Sequence, residues 1–173
     1  MNLNEFAQDV HENAKAHGWW DDPRSDGTLR SLMHAELSEA LEEYRAGRPL
    51  VWHKCPHGGV CENQHVIKGA PTCDTCTPDM RKPEGIAVEL IDFAIRALDT
   101  MAAKDEKFNL PDFVDGLHSL TAIAGAGSWN VLAVGVLAVL AWVRQEGADP
   151  ESLMQEKHAY NKTRPYKHGG KVC

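Results

Sequence analysis

Apolar side chains recur every three to four residues over most of this chain, the spacing that lines one face of an α-helix. Phe6, Val10 and Ala14 mark a first helix from about 4 to 17, with Gly18 as its stop. Leu29, Leu32, Met33, Leu37, Ala40, Leu41 and Tyr44 form the stripe of a second, from about 28 to 46, closed by Gly47. A third is predicted over 83–103, with Pro83 or Glu84 in its first turn. Ile86, Val88, Leu90, Ile91, Phe93, Ile95, Leu98 and Met101 nearly surround it, so it belongs in the interior. Further helices are expected at about 112–124 and 128–145, broken at Gly125-Ala126-Gly127. A last one should run from the cap sequence Asp149-Pro150-Glu151 to about Asn161. Neither an internal repeat nor a convincing strand is evident. The expected class is all-α, a bundle of five to six helices forming a single domain over 1–173.

Residues 48–83 break the pattern with prolines, glycines and four cysteines, and are read as a loop inserted between two helices. The cysteines follow the spacing Cys55-x5-Cys61-x11-Cys73-x2-Cys76, with His53, His57 and His65 nearby. Cys-x2-Cys is a good zinc half-site. The first half is looser, so His57 or His53 is an alternative to one cysteine. A structural Zn²⁺ would stabilise a segment too polar to fold alone; a plain loop with reduced thiols is the other reading. Four clustered cysteines fit a reducing cytoplasm better than a disulfide framework.

Composition narrows the functional classes. The chain is 43% hydrophobic and 25% charged, as a soluble globular domain should be. A net charge of −7 argues against a general nucleic-acid or membrane-surface binder. The most apolar run, Val131–Val143, falls short of the roughly 20 residues that span a bilayer. The first residues, Met1-Asn-Leu-Asn-Glu5, lack the basic and apolar regions of a signal peptide. A cytoplasmic protein, acting on neither membrane nor nucleic acid, is the expectation.

Candidate chemistry lies in two carboxylate pairs, Glu36-x-x-Glu39 and Glu89-x-x-Asp92. Residues three apart share a helix face. Glu36, Glu39 and Glu43 border the apolar stripe of their helix, whereas Glu42 points away. Glu89, Asp92, Arg96 and Asp99 are the narrow polar strip of the otherwise apolar third helix. Buried carboxylates without counter-charge are costly. Two facing sets of hard oxygen ligands suit Mg²⁺ or Mn²⁺.

Two further features suit a phosphorylated substrate. From Lys157 to Lys171 there are five cationic residues (Lys157, Lys162, Arg164, Lys167, Lys171) and no acid, in a chain that is acidic overall. Lys157, Asn161 and Arg164 share a helix face, and Arg presents a fork of donors to phosphate. A frayed cationic terminus is the simpler alternative. Trp19 and Trp20 are adjacent in a loop. They read either as a plug at the end of the bundle or as a stacking wall for a nucleobase. His118 and His158 are read as packing or surface residues.

The order of Gly18-Trp-Trp-Asp21, His34-Ala-Glu-Leu-Ser-Glu-Ala-Leu-Glu42, Lys82-Pro-Glu-Gly-Ile-Ala-Val-Glu-Leu-Ile-Asp92 and the tail Lys157–Lys171 resembles the MazG-like nucleotide pyrophosphohydrolases, of the form found in phages and their bacterial hosts. These belong to the all-α NTP pyrophosphatase superfamily. The likeness covers most of the chain outside the cysteine loop, whose length departs from the family pattern. It implies a MazG-like bundle that cleaves nucleoside triphosphates to monophosphate and pyrophosphate with Mg²⁺. Glu36, Glu39, Glu89 and Asp92 would bind the metal, and Glu36 or Glu39 would orient or deprotonate the attacking water. Lys157, Asn161, Arg164 and Lys171 would contact substrate; Arg96, from the polar strip of the third helix, is read as joining them, with Trp19 or Trp20 stacking on the base. A homodimer or larger assembly is implied, and the apolar 131–143 segment points the same way. The rivals are a dUTPase- or dCTPase-like relative and a non-catalytic, zinc-containing dimerisation module.

Overall fold

The computed structural model describes residues 1–57, 81–106 and 130–166. Five helices account for most of these: α1 (Leu3–Ala16), α2 (Asp26–Arg45), α3 (Ile86–Ala103), α4 (Asn130–Gln145) and α5 (Pro150–Lys162). The starts follow the capping chemistry of the sequence. Asn2, Ser25 and Asp149 each accept backbone N–H groups of the following turn, and Pro150 occupies the first turn of α5. The helix expected at 112–124 and the Gly125–Gly127 break lie outside the described residues.

The interior helix is α3, as its apolar circumference requires. Ala87, Ile91, Ala94, Ala97 and Leu98 are fully buried, and α1, α2, α4 and α5 all pack on it. One apolar cluster joins Phe6 and Val10 of α1, Met33 of α2, Val136, Val139 and Val143 of α4, and Leu153 and Met154 of α5 to this helix. The apolar run in α4 is therefore spent largely on the core, leaving Trp142 partly exposed.

Two expectations are corrected. The chain contains a short antiparallel pair, β1 (Trp52–Lys54) and β2 (Lys82–Glu84), in the register Trp52↔Glu84, His53↔Pro83 and Lys54↔Lys82. Pro83 and Glu84 therefore lie in a strand, and α3 begins three residues later than the pattern suggested. Gly85 makes the turn between them at φ +113°, where a Cβ would come 2.7 Å from the Leu50 carbonyl oxygen. That carbonyl accepts the Ala87 N–H at 3.0 Å, tying the start of α3 to the chain entering the cysteine loop.

The second correction concerns the face α2 buries. Leu29, Met33, Glu36 and Ala40 turn inward, while Leu37, Leu41 and Tyr44 of the expected stripe are exposed. On that inward face Glu36 meets a cation: Arg96 Nε of α3 donates to Glu36 Oε1 across the interface.

Candidate functional site

The polar strip of α3 meets α2 and α5 toward Glu89 and Asp92, and α1 with the following loop at Asp99. Glu36, Glu89 and Asp92 each present a carboxylate oxygen within 4.8 Å of the other two. Three of the four predicted ligands are thus brought together. Glu39, about 60° further round α2, is exposed and lies outside that group, though near enough for its charge to oppose ionisation of Glu36. Glu43 is committed elsewhere, accepting the Trp52 indole N–H at 2.7 Å.

The electrostatics of this cluster are those of crowded acids. Burial pushes the Glu36 carboxyl up from its ordinary range, against the pull of Arg96. Burial also raises Glu89, to about 8, with Asp92 and Glu84 adding to the effect and Lys157 opposing it. Glu84 goes the other way. Its burial is outweighed by the Lys82 ammonium, 2.6 Å from its carboxylate, and by a hydrogen bond from Glu89. Burial and acidic neighbours thus push Glu89 up while Lys82 holds its neighbour Glu84 down. Glu84 was missed as a member of the cluster because its register depends on the β pairing, which no periodicity announces.

Lys157 stands in a different place from the one expected. It is fully buried, with Nζ 2.7 Å from Asp92 Oδ2 and 3.5 Å from the Pro83 carbonyl oxygen. Burial alone would lower its pKa, but Asp92, Glu89 and Glu84 raise it, so the ammonium is retained. It neutralises the carboxylates from beneath and is not free to grip a phosphate.

Beside the carboxylates opens a cavity of about 90 Å³. Asp92, Arg96 and Asp99 form one wall; Asn13 of α1 with His17 just after it, Trp19, His158 and Asn161 of α5, and Arg164 just beyond α5 form the others. Arg96, Trp19, Asn161 and Arg164 thus converge as the motif order suggested. Only the Nε–H of Arg96 is engaged by Glu36; its side chain remains 41% exposed. Trp20 does not line the cavity. Its indole N–H is bound by Asp99 at 3.0 and 3.2 Å, and Asp99 also takes His11 Nδ1 at 2.7 Å. Trp20 therefore serves as an anchor. Burial raises the Asp99 carboxyl, and the hydrogen bonds from His11 and Trp20 oppose that.

The tail crosses back over this loop. Tyr166 lies against Gly18, leaving no room for a Cβ there, and its hydroxyl donates to Asp21. Lys162 pairs with Asp9 at 2.9 Å. Lys171, like Cys61, Cys73 and Cys76, lies outside the described residues. Of the zinc candidates, Cys55 is buried with its Sγ 3.9 Å from His57 Nδ1. His53 is taken by Glu156 at 2.5 Å, which leaves His57 the better histidine alternative.

The donor set fits a hard divalent cation: three carboxylates whose oxygens lie within 4.8 Å of one another, crowded and buried enough to push Glu89 up to about 8. No family model, curated protein or solved structure matches the chain.

Proposed function

We propose that this protein is an Mg²⁺-dependent nucleoside triphosphate pyrophosphohydrolase, in keeping with the MazG-like order of its motifs. The observation that supports it best is convergence. A carboxylate cluster from α2 and α3 adjoins, through Asp92, a cavity bearing two arginines and a tryptophan. Glu36, Glu89 and Asp92 would hold Mg²⁺ or Mn²⁺. When bound, the ion supplies charge neutralisation at the phosphates and a more acidic water.

The chain's own groups divide the remaining work. The unspent N–H groups of Arg96, with Arg164, bind and orient the polyphosphate in the cavity mouth. Lys157 holds Asp92 in place and keeps the buried acids from repelling one another apart. Glu39, solvent-exposed and one turn beyond Glu36, is the carboxylate free to accept a proton from water. Trp19, backed by the Arg24 guanidinium 5.2 Å from its ring, offers a flat wall to a base. The exposed Leu37, Leu41 and Tyr44 on α2 supply an apolar surface for a second copy of the chain.

Pyrophosphate release from the common ribo- and deoxyribonucleoside triphosphates, with and without Mg²⁺, tests the reading. Release that needs the metal and stops in Glu89→Gln is expected. No release from any triphosphate would overturn it.

A further inference from the structure

Three cations meet the crowded acids, and they are held in unlike ways. Lys157 is fully buried, with Nζ 2.7 Å from Asp92 Oδ2. Lys82 Nζ lies 2.6 Å from Glu84 Oε1, and Glu84 is not one of the three converging carboxylates. Arg96 donates its Nε–H to Glu36 Oε1, on a carboxylate that does belong to that group. Glu36 is buried, whereas the Arg96 side chain is 41% exposed. Of the three cations, Arg96 is the one that lines the cavity, together with Asp92 and Arg164.

Arg96 and a metal ion make competing claims on Glu36. In the metal-free protein the guanidinium supplies the positive charge that a buried carboxylate requires. A divalent ion held by Glu36, Glu89 and Asp92 would supply that charge itself and stand beside the guanidinium on the same carboxylate. Like charges that close repel, the more so where water is scarce. Lys157 is enclosed and has nowhere to go. Arg96 has a way out, because leaving Glu36 takes it toward solvent and into the cavity it already lines. A guanidinium carries five N–H donors in one plane. The donor returned by Glu36 completes the fork that grips a phosphate.

We propose that Arg96 is a displaceable counter-ion: it holds Glu36 in the metal-free protein and is released to bind the substrate's phosphates when a divalent cation takes its place. Metal and phosphate are thereby coupled, the metal first.

The proposal rests on the reading of Glu36, Glu89 and Asp92 as a metal site, and its test needs no turnover. In the full chain labelled with ¹⁵N-arginine, the Arg96 Nε–H resonance is identified by its loss in Arg96→Lys. Its exchange with water should quicken about tenfold or more on saturation with Mg²⁺, as a hydrogen bond to a charged group is given up. Unchanged exchange in the Mg²⁺-bound protein would overturn the proposal. Titration calorimetry with Mn²⁺ reads the competition a second way. Arg96→Met removes the competitor and should tighten Mn²⁺ binding about tenfold, while Arg96→Lys, which keeps the charge, should stay within about threefold of the unaltered protein. Weaker Mn²⁺ binding in Arg96→Met would make Arg96 a fixed support of Glu36 and overturn the proposal. Sulfate, standing in for a phosphate, should bind the unaltered protein about tenfold more tightly with Mg²⁺ than without, and Arg96→Met no more than about threefold. An equal gain in both would remove Arg96 from phosphate binding. If the unaltered protein takes up neither Mg²⁺ nor Mn²⁺, the metal site falls and the proposal with it; if metal binds and Arg96 stays on Glu36, the proposal falls alone.

Discussion

Asp92 and Asp99 sit seven residues apart on the same strip of α3, and their surroundings differ in kind. Asp99 is matched: a tryptophan N–H and a histidine converge on one carboxylate, and the group joins α1, the Trp19–Trp20 loop and α3. Asp92 belongs to a crowded end, where Glu36 and Glu89 present carboxylate oxygens within 4.8 Å of its own and Glu84 adds to the rise of Glu89, while Lys157, Arg96 and Lys82 each pair with one of these acids. A carboxylate that has all its donors is architecture. A group of carboxylates whose oxygens converge is a place for a cation. The contrast separates residues that look alike in the sequence.

The two ends should respond to mutation in opposite ways. Glu89→Gln should lower turnover by about 100-fold or more, by removing a ligand of the metal that drives the chemistry, while leaving the melting temperature at pH 8 unchanged or higher. A fall in stability with activity preserved would reverse the assignment. Glu39→Gln should also cost about 100-fold, the lower range for loss of a general base, with the fold retained by circular dichroism. Full activity in that variant would remove Glu39 from the mechanism.

Asp99→Ala should do the converse. It strands the Trp20 and His11 donors and should destabilise the protein by about 1–3 kcal/mol, seen as a lower denaturant midpoint and altered tryptophan fluorescence. Residual turnover per folded molecule should far exceed that of Glu89→Gln. If Asp99→Ala abolished turnover with no loss of stability, the division of the strip into two ends would fail.

A smaller effect follows from pH. The Glu89 pKa is raised in the folded, metal-free protein from 4.5 to about 8, so folding favours its protonated form. That contribution is full below the unfolded value and is lost as pH rises through the folded one, since the unfolded chain gives up the proton first. Stability of the metal-free protein should therefore decline between pH 4.5 and about 8, less steeply in Glu89→Gln. Mg²⁺ binding at pH 7 should expel the proton, giving a calorimetric heat that varies with the buffer's ionisation enthalpy. A heat independent of buffer would separate the metal site from Glu89. Smallest of all, Glu42→Gln should change nothing measurable in turnover, being exposed on the face of α2 away from the cluster.

Much of this was legible in the chain alone. The interior position of α3, the caps of α1, α2 and α5, and the link between the Glu36 and Glu89/Asp92 motifs follow from local periodicity and from the cost of burying acids. What was misread had a common cause. Hydrophobicity alone puts Leu37, Leu41 and Tyr44 on the buried stripe of α2, whereas they are exposed and Glu36 is buried beside Arg96 of another helix. The sequence groups Lys157 with the cationic tail as a substrate contact, but it pairs with Asp92, an acid distant in sequence.

The sequence by itself determined that the chain is helical, which helix is central and which acids lie on it, because those depend on spacing within one segment. Only the tertiary structure decided which of those acids are satisfied. It set Trp20 on Asp99 and left Trp19 at the cavity. It drew Glu84 into the cluster through the Trp52–Glu84 register, and it set Arg96 on Glu36. The reason is physical: a hydrogen bond or ion pair between residues 60 to 150 positions apart is a property of two surfaces meeting, and neither surface carries it alone.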